Sequence, residues 1–225
     1  MLKQKMMKVA LCGAIATGVV GSFEAVKPSQ VSAAVSWEST LEPVEKVAVK
    51  YYTGDGYAKI NQELREGNIN GSQSKYIKSI DQALKKAKTS EKMTVYRYAD
   101  ERQLGAKFGS LLQFKDLKLD SIDHIKNTQN YILEAKKLVE KWHNKTLTEK
   151  AYTSTSTQKV ANFSARPILF EITVPKGTHA AKVEVISEFK NEKELLLPRN
   201  SKFKIEGSSF NAAEGYLVIK ATLVN

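Results

Sequence analysis

The chain changes its periodicity once, near Thr148, and that change limits the folds open to it. Before this point apolar residues recur at helical spacing. After it come short runs rich in Ile, Val, Leu, Thr and Phe. Residues 42–51 read as a helix with Pro43 in its first turn, and Thr53-Gly54-Asp55-Gly56 breaks it. A short helix over 57–65 stops at Gly67, and a third over 74–88 carries Ile77, Ile80, Leu84 and Ala87 on one stripe. Residues 94–98 read as a strand, followed by a loop with Gly105 and Gly109. A helix over 128–143 is predicted to turn Ile132, Leu133, Leu138 and Val139 inward. Strands are predicted over 152–157, 168–174, 182–186, 194–197, 202–206 and 216–223, punctuated by Pro167, Pro175-Lys176-Gly177, Pro198 and Gly207. Helices first and strands after define an α+β class, with N-terminal helices packed on two mostly antiparallel sheets. No flexible linker divides the halves, so one domain is expected.

The first residues read differently. Lys3, Lys5 and Lys8 precede an apolar, small-residue stretch over 9–23, and Val31-Ser32-Ala33-Ala34 offers small residues for cleavage. This is the pattern of a secretory signal peptide over 1–34, since the stretch is short for the alternative, a membrane anchor. Cleavage there removes Cys12, the single cysteine. The secreted domain, 35–225, would then rely on its hydrophobic core rather than on disulfides. The formal charge is +11, of which residues 1–34 hold +3. The basic remainder favours phosphates, acidic protein surfaces or lipid headgroups. Its lysines are scattered among acids, so no nucleic-acid partner is expected. His124, His143 and His179 show no ligand spacing, so no metal is expected. Neither a Ser-His-Asp pattern nor a phosphate loop is present. A monomer is the expected state.

Several separated pieces carry chemistry. Glu192 and Glu194 sit two residues apart at the mouth of an apolar run, Leu195-Leu196-Leu197. On an extended segment they point to one side, with Leu195 and Leu197 alternating away from Leu196. Like charges so close repel, and a cation or developing cation between them is one reason for the pairing. An ordinary charged strand edge is the other. Tyr57, Asn61 and Arg65 lie on one helix face, as solvated surface or as a ligand contact. Arg97 interrupts an apolar strand and must be paired, either by a carboxylate within the fold or by a bound phosphate. Ser154-Thr155-Ser156 is either plain strand or a row of donors for a carboxylate. Phe163 and Arg166 share a loop, an aromatic face with a guanidinium fork.

Taken in order, these pieces resemble the motif set of the bacterial mono-ADP-ribosyltransferase toxins, from about Tyr51 to the C-terminus. That family includes the Rho-modifying exoenzymes and the catalytic components of binary actin-modifying toxins. The resemblance implies NAD as co-substrate and no metal. Glu194 is then the catalytic glutamate, Ser154 its positioner and Glu192 the residue that chooses the acceptor. Asn61, Arg65, Arg97, Thr155, Ser156, Phe163 and Arg166 are implied to bind NAD, and Phe189 and Tyr57 to touch the protein substrate. The chemistry suits these residue types. Cleaving the nicotinamide–ribose bond develops positive charge on the ribose, which a carboxylate stabilises, and arginines neutralise the diphosphate. Rho-modifying relatives carry Gln where this chain has Glu192, whereas arginine-modifying relatives carry Glu. The resemblance therefore implies a secreted, NAD-dependent protein-arginine transferase with NAD hydrolysis as a side activity. Its target would be a host protein such as actin or a small GTPase, reached inside the host cell by uptake or with a separate translocation component. Against the actin group stand the short chain and Ala151, where some of its members place Asn. A Rho-directed asparagine transferase and a secreted binding domain without turnover are the competing expectations.

Overall fold

A computed structural model of the chain describes residues 36–99, 128–161, 166–211 and 213–224. The expected leader, the Gly105/Gly109 loop and Phe163 lie outside the described residues. Helix α1, Pro43–Tyr51, opens on a capping box in which the Glu42 N–H donates to Glu45 Oε2 at 2.8 Å, and Pro43 takes the first turn. Glu45 also receives Lys86 Nζ at 2.7 Å, tying α1 to α3, Ser74–Lys85. Between them α2, Tyr57–Glu66, ends at Gly67, whose φ of 82° is the left-handed conformation that glycine adopts without strain. A π-turn over Tyr52–Gly56 joins α1 to α2 and kinks at Gly54. The predicted stripe Ile77, Ile80, Leu84 and Ala87 is buried.

Eight strands follow: β1 Met93–Ala99, β2 Thr146–Glu149, β3 Thr153–Ser156, β4 Ile168–Val174, β5 Ala181–Lys182, β6 Glu194–Leu197, β7 Ser201–Asn211 and β8 Tyr216–Val224. The α+β class holds, but the strands form one ladder rather than two sheets, in the order β2-β7-β8-β4-β1-β3-β6-β5. The β4/β8 pair is parallel and the others are antiparallel. Its two halves meet at a narrow seam, Tyr96 of β1 opposite Ser156 of β3. Helix α4, Thr128–Lys141, buries Ile132, Ala135 and Val139 against the longer half. Leu133 is 56% exposed, contrary to the predicted inward face, because it sits about 100° round the helix from Ile132. The predicted strand over 182–186 is also corrected. Only Ala181–Lys182 pairs with β6, and a 3-10 turn over Val183–Val185 buries Val183 while exposing Val185. A strand would have put both valines on one face.

Strand β6 belongs to two cores. Leu196 packs with α1–α3, Tyr52 and Tyr152, whereas Leu195 and Leu197 pack with β1, β4, β7, β8 and α4. All four β6 residues are buried. No helix among the described residues is long and apolar enough to cross a membrane.

The π-turn is the least tolerant joint. A Cβ on Gly56 would lie 2.5 Å from the Tyr51 ring and 2.7 Å from its carbonyl oxygen. Gly56→Ala is therefore expected to cost about 1–3 kcal/mol of stability, read as a lower Tm. An unchanged Tm would contradict the close approach.

Candidate active site

The register of β3 against β6 sets the site. Ser156 lies opposite Glu194, Thr155 opposite Leu195 and Ser154 opposite Leu196. Alternation puts Ser154, Ser156 and Glu194 on one face and Thr155 on the other. Thr155 is buried, and its hydroxyl donates to the Leu195 carbonyl at 2.7 Å. It therefore works within the strand pair, away from the ligand contact expected of it. The Ser156 hydroxyl accepts the Gln158 N–H at 3.1 Å, shaping the turn after β3.

Glu194 is 4% exposed. Burial pushes its carboxyl up to about 7, and the neighbouring Glu192 charge adds to the rise. A hydrogen bond from Ser154 and the positive charge of Arg97 oppose it. Arg97, half-buried in β1, donates from Nη1 to the Ser154 carbonyl at 2.6 Å. Ser154 thus shares its face with the carboxylate and holds the arginine with its backbone.

Glu192 does not share the strand with Glu194. It ends a 3-10 turn over Lys190–Glu192, and Lys193 between the two glutamates is left-handed, with φ 49° and ψ 44°. The extended geometry read from the sequence is corrected here, although the two carboxylates still interact. The corner is pinned from β3: the Thr157 N–H and hydroxyl donate to the Lys193 carbonyl at 3.0 and 3.2 Å. Lys193 Nζ is held by Glu184 at 3.3 Å. Glu192 is half-buried, which raises its pKa, while Arg166 lowers it. Arg166 itself donates from Nη1 to the Tyr98 carbonyl at 3.2 Å. Phe189 opens the same turn and is 52% exposed.

The helical layer supplies the rest. Asn61 is buried on α2 and donates from Nδ2 to the Tyr52 hydroxyl at 3.0 Å. Tyr52 is 2% exposed. Burial raises the pKa of its phenol, the charge of Glu194 raises it further, and Asn61, Arg97 and Arg65 act in the other direction. Its role is hidden in the sequence because a tyrosine just after an apolar helix, before a Thr-Gly break, reads as ordinary core. Arg65 is gripped by Glu149, Nε to Oε1 at 3.2 Å and Nη2 to Oε2 at 3.3 Å. Glu149 was also missed, since its strand shows a single buried apolar side chain, Leu147. Tyr57 starts α2 and is 55% exposed. Ser154, Glu194, Glu192, Arg97, Arg65 and Arg166 thus form one electrostatic cluster, with Asn61 joined to it through Tyr52. Among the described residues, no group of three His, Cys, Asp or Glu side chains could hold a metal ion.

The family model for the ADP-ribosyltransferase exoenzyme matches residues 30–225. The mono-ADP-ribosyltransferase C3 of a Clostridium botulinum D phage is 34% identical over 189 residues, 82% of this chain and 70% of that protein. The NAD(+)–arginine ADP-ribosyltransferase EFV of Enterococcus faecalis is 31% identical over 174 residues, 76% of this chain but 30% of EFV. Among solved structures, Plx2a, an ADP-ribosyltransferase toxin from Paenibacillus larvae, superposes with a TM-score of 0.67 at 32% identity, covering 84% of this chain and 90% of Plx2a. The fold and these matches define a bacterial mono-ADP-ribosyltransferase toxin, an enzyme class whose substrate is NAD. The chain belongs to the ADP-ribosyltransferase exoenzyme family.

The buried Glu194 links stability to pH with a definite sign. Its folded pKa of about 7 exceeds the ordinary 4.5, so between these values the folded state binds more protons than the unfolded one. Its stabilising contribution is full below about pH 4.5 and is lost as pH rises through 7, a difference of roughly 3 kcal/mol. Glu194→Gln is expected to melt a few degrees above the unaltered chain at pH 8 and level with it at pH 4.5. Melting below the unaltered chain at pH 8 would contradict a carboxylate held ionised against burial.

Proposed function

We propose that residues 35–225 are the catalytic domain of a secreted enzyme that takes ADP-ribose from NAD, releases nicotinamide and joins the sugar to a side chain of a host protein. The observation that carries this is the buried Glu194 on the same strand face as Ser154, beside the Arg97 that the Ser154 carbonyl holds. The residues fit the dinucleotide. Arg65, Arg97 and Arg166 are grouped as a diphosphate requires, and Glu194 is poised to stabilise positive charge developing on the ribose. Asn61, Ser156 and Phe163 complete the proposed NAD contacts, and exposed Phe189 and Tyr57 those to the protein substrate.

The acceptor separates two readings. Likeness over 82% of the chain to the C3 enzyme supports a Rho-type small GTPase modified at asparagine, ahead of the arginine acceptor that Glu192 suggests in the sequence. The arginine acceptor keeps two observations in its favour, the Glu192 carboxylate itself and the match to EFV. The chemistry differs in one atom. A carboxylate accepts two hydrogen bonds from a guanidinium, whereas an amide needs a donor and an acceptor together. Glu192 offers both only when protonated, and its partial burial favours that form.

Transfer of labelled ADP-ribose from NAD to Rho, actin and a small guanidine compound tests these readings, with Glu194→Ala as the blank. Labelling of Rho, kept or raised in Glu192→Gln, is the expected result. Labelling of the guanidine compound, lost in Glu192→Gln while nicotinamide release persists, would move the assignment to arginine. No label in any lane and no nicotinamide release would leave a binding domain without turnover.

A further inference from the structure

Glu149 closes the edge strand β2 opposite Ser201 and is 2% exposed. A carboxylate so buried persists only with partners. Three donors meet it: Arg65 Nε and Nη2 at 3.2 and 3.3 Å, and the Ala151 N–H at 2.8 Å. The last of these lies at the entry to β3, so Glu149 ties the arginine of α2 to the strand that carries Ser154.

The contact takes the Nε edge of the guanidinium. Arg65 has five N–H donors in a rigid fork, and Nη1 lies on the side away from this edge. Its side chain keeps 19% exposure. Two guanidinium groups, Arg65 and Arg97, are close enough here to repel, and the Glu149 charge acts on Arg97 in the compensating direction. The buried Glu149 carboxylate thus offsets the repulsion between the two arginines.

We propose that Glu149 is a positioning residue for NAD: its carboxylate clamps Arg65 by the Nε edge and leaves the Nη1 edge to the diphosphate. The proposal rests on the NAD site described under the proposed function. A guanidinium fixed before the ligand arrives loses little side-chain freedom on binding. A purely structural ion pair would stabilise the fold and leave ligand affinity unchanged.

The test is calorimetric titration of the full chain with ADP-ribose, alongside the kinetics of nicotinamide release from NAD. Glu149→Gln is expected to weaken ADP-ribose binding about tenfold, as loss of an outer partner does elsewhere. KM for NAD should rise by the same factor while kcat stays within about threefold. Because Glu149 acts through Arg65, the double variant with Arg65→Ala should bind no more weakly than Arg65→Ala alone. Should Glu149→Gln melt below the assay temperature, Glu149→Asp takes its place. It keeps the charge but withdraws the carboxylate, and a smaller loss of affinity is expected. Unaltered affinity in the folded Glu149 variant, or losses that add in the double variant, would overturn the proposal and leave the NAD site standing. Failure of the unaltered chain to bind ADP-ribose or NAD would overturn the site itself, and the proposal with it.

Discussion

Glu194 is the first residue of a strand that two hydrophobic cores share, and this sets the character of the site. Leu196 is committed to the helical side and Leu195 with Leu197 to the sheet side, so β6 cannot slip without turning both sets of leucines into the wrong core. The carboxylate is thereby held at a fixed height opposite Ser156. Burial favours its protonated form, and Ser154 and Arg97 favour the ionised one. The balance falls near neutrality, where a carboxylate can meet positive charge as it develops without being permanently neutralised by a close ion pair.

Arg65, one of the arginines of the cluster, is carried by the helical layer, and its placement depends on the joint between α1 and α2. The π-turn brings the Tyr52 hydroxyl back toward Asn61 and into the field of Glu194. It also sets the start of α2, and hence places Arg65 two turns later beside Glu149. Two short segments, one helical and one an edge strand, thus converge on the same group of charges. The Glu192 side is built differently. Glu192 sits on a turn whose left-handed Lys193 is fastened by Thr157, so the two glutamates can be near each other without lying on one strand.

Much of the fold was legible because local signals agreed with the packing. Residues 168–174 and 194–197 were read residue for residue as strands, each an apolar run bounded by turn residues. The α2 boundary followed from Gly67. The misses share a cause. Strand β2 gains its identity from pairing with β7, and its own sequence, Thr-Leu-Thr-Glu, shows little. Glu149 and Tyr52 act through contacts 84 and 9 residues away in the chain, which no local pattern records. For the site, Glu194, Ser154 and Arg97 were found together because their order resembles a known motif set. Thr155 was taken with its neighbours, although a period of two separates it from them. Glu192 reads as extended with Glu194 because no residue type around Lys193 signals its left-handed conformation.

Burial between two cores, opposed by Ser154 and Arg97, poises Glu194 near neutral pH. The most direct test is a titration of the side-chain carboxyl carbon by 13C NMR in the full chain, with Glu194→Gln supplying the assignment. An apparent pKa of about 7 is expected for this one carboxyl. A midpoint at the ordinary glutamate value of about 4.3 would contradict it.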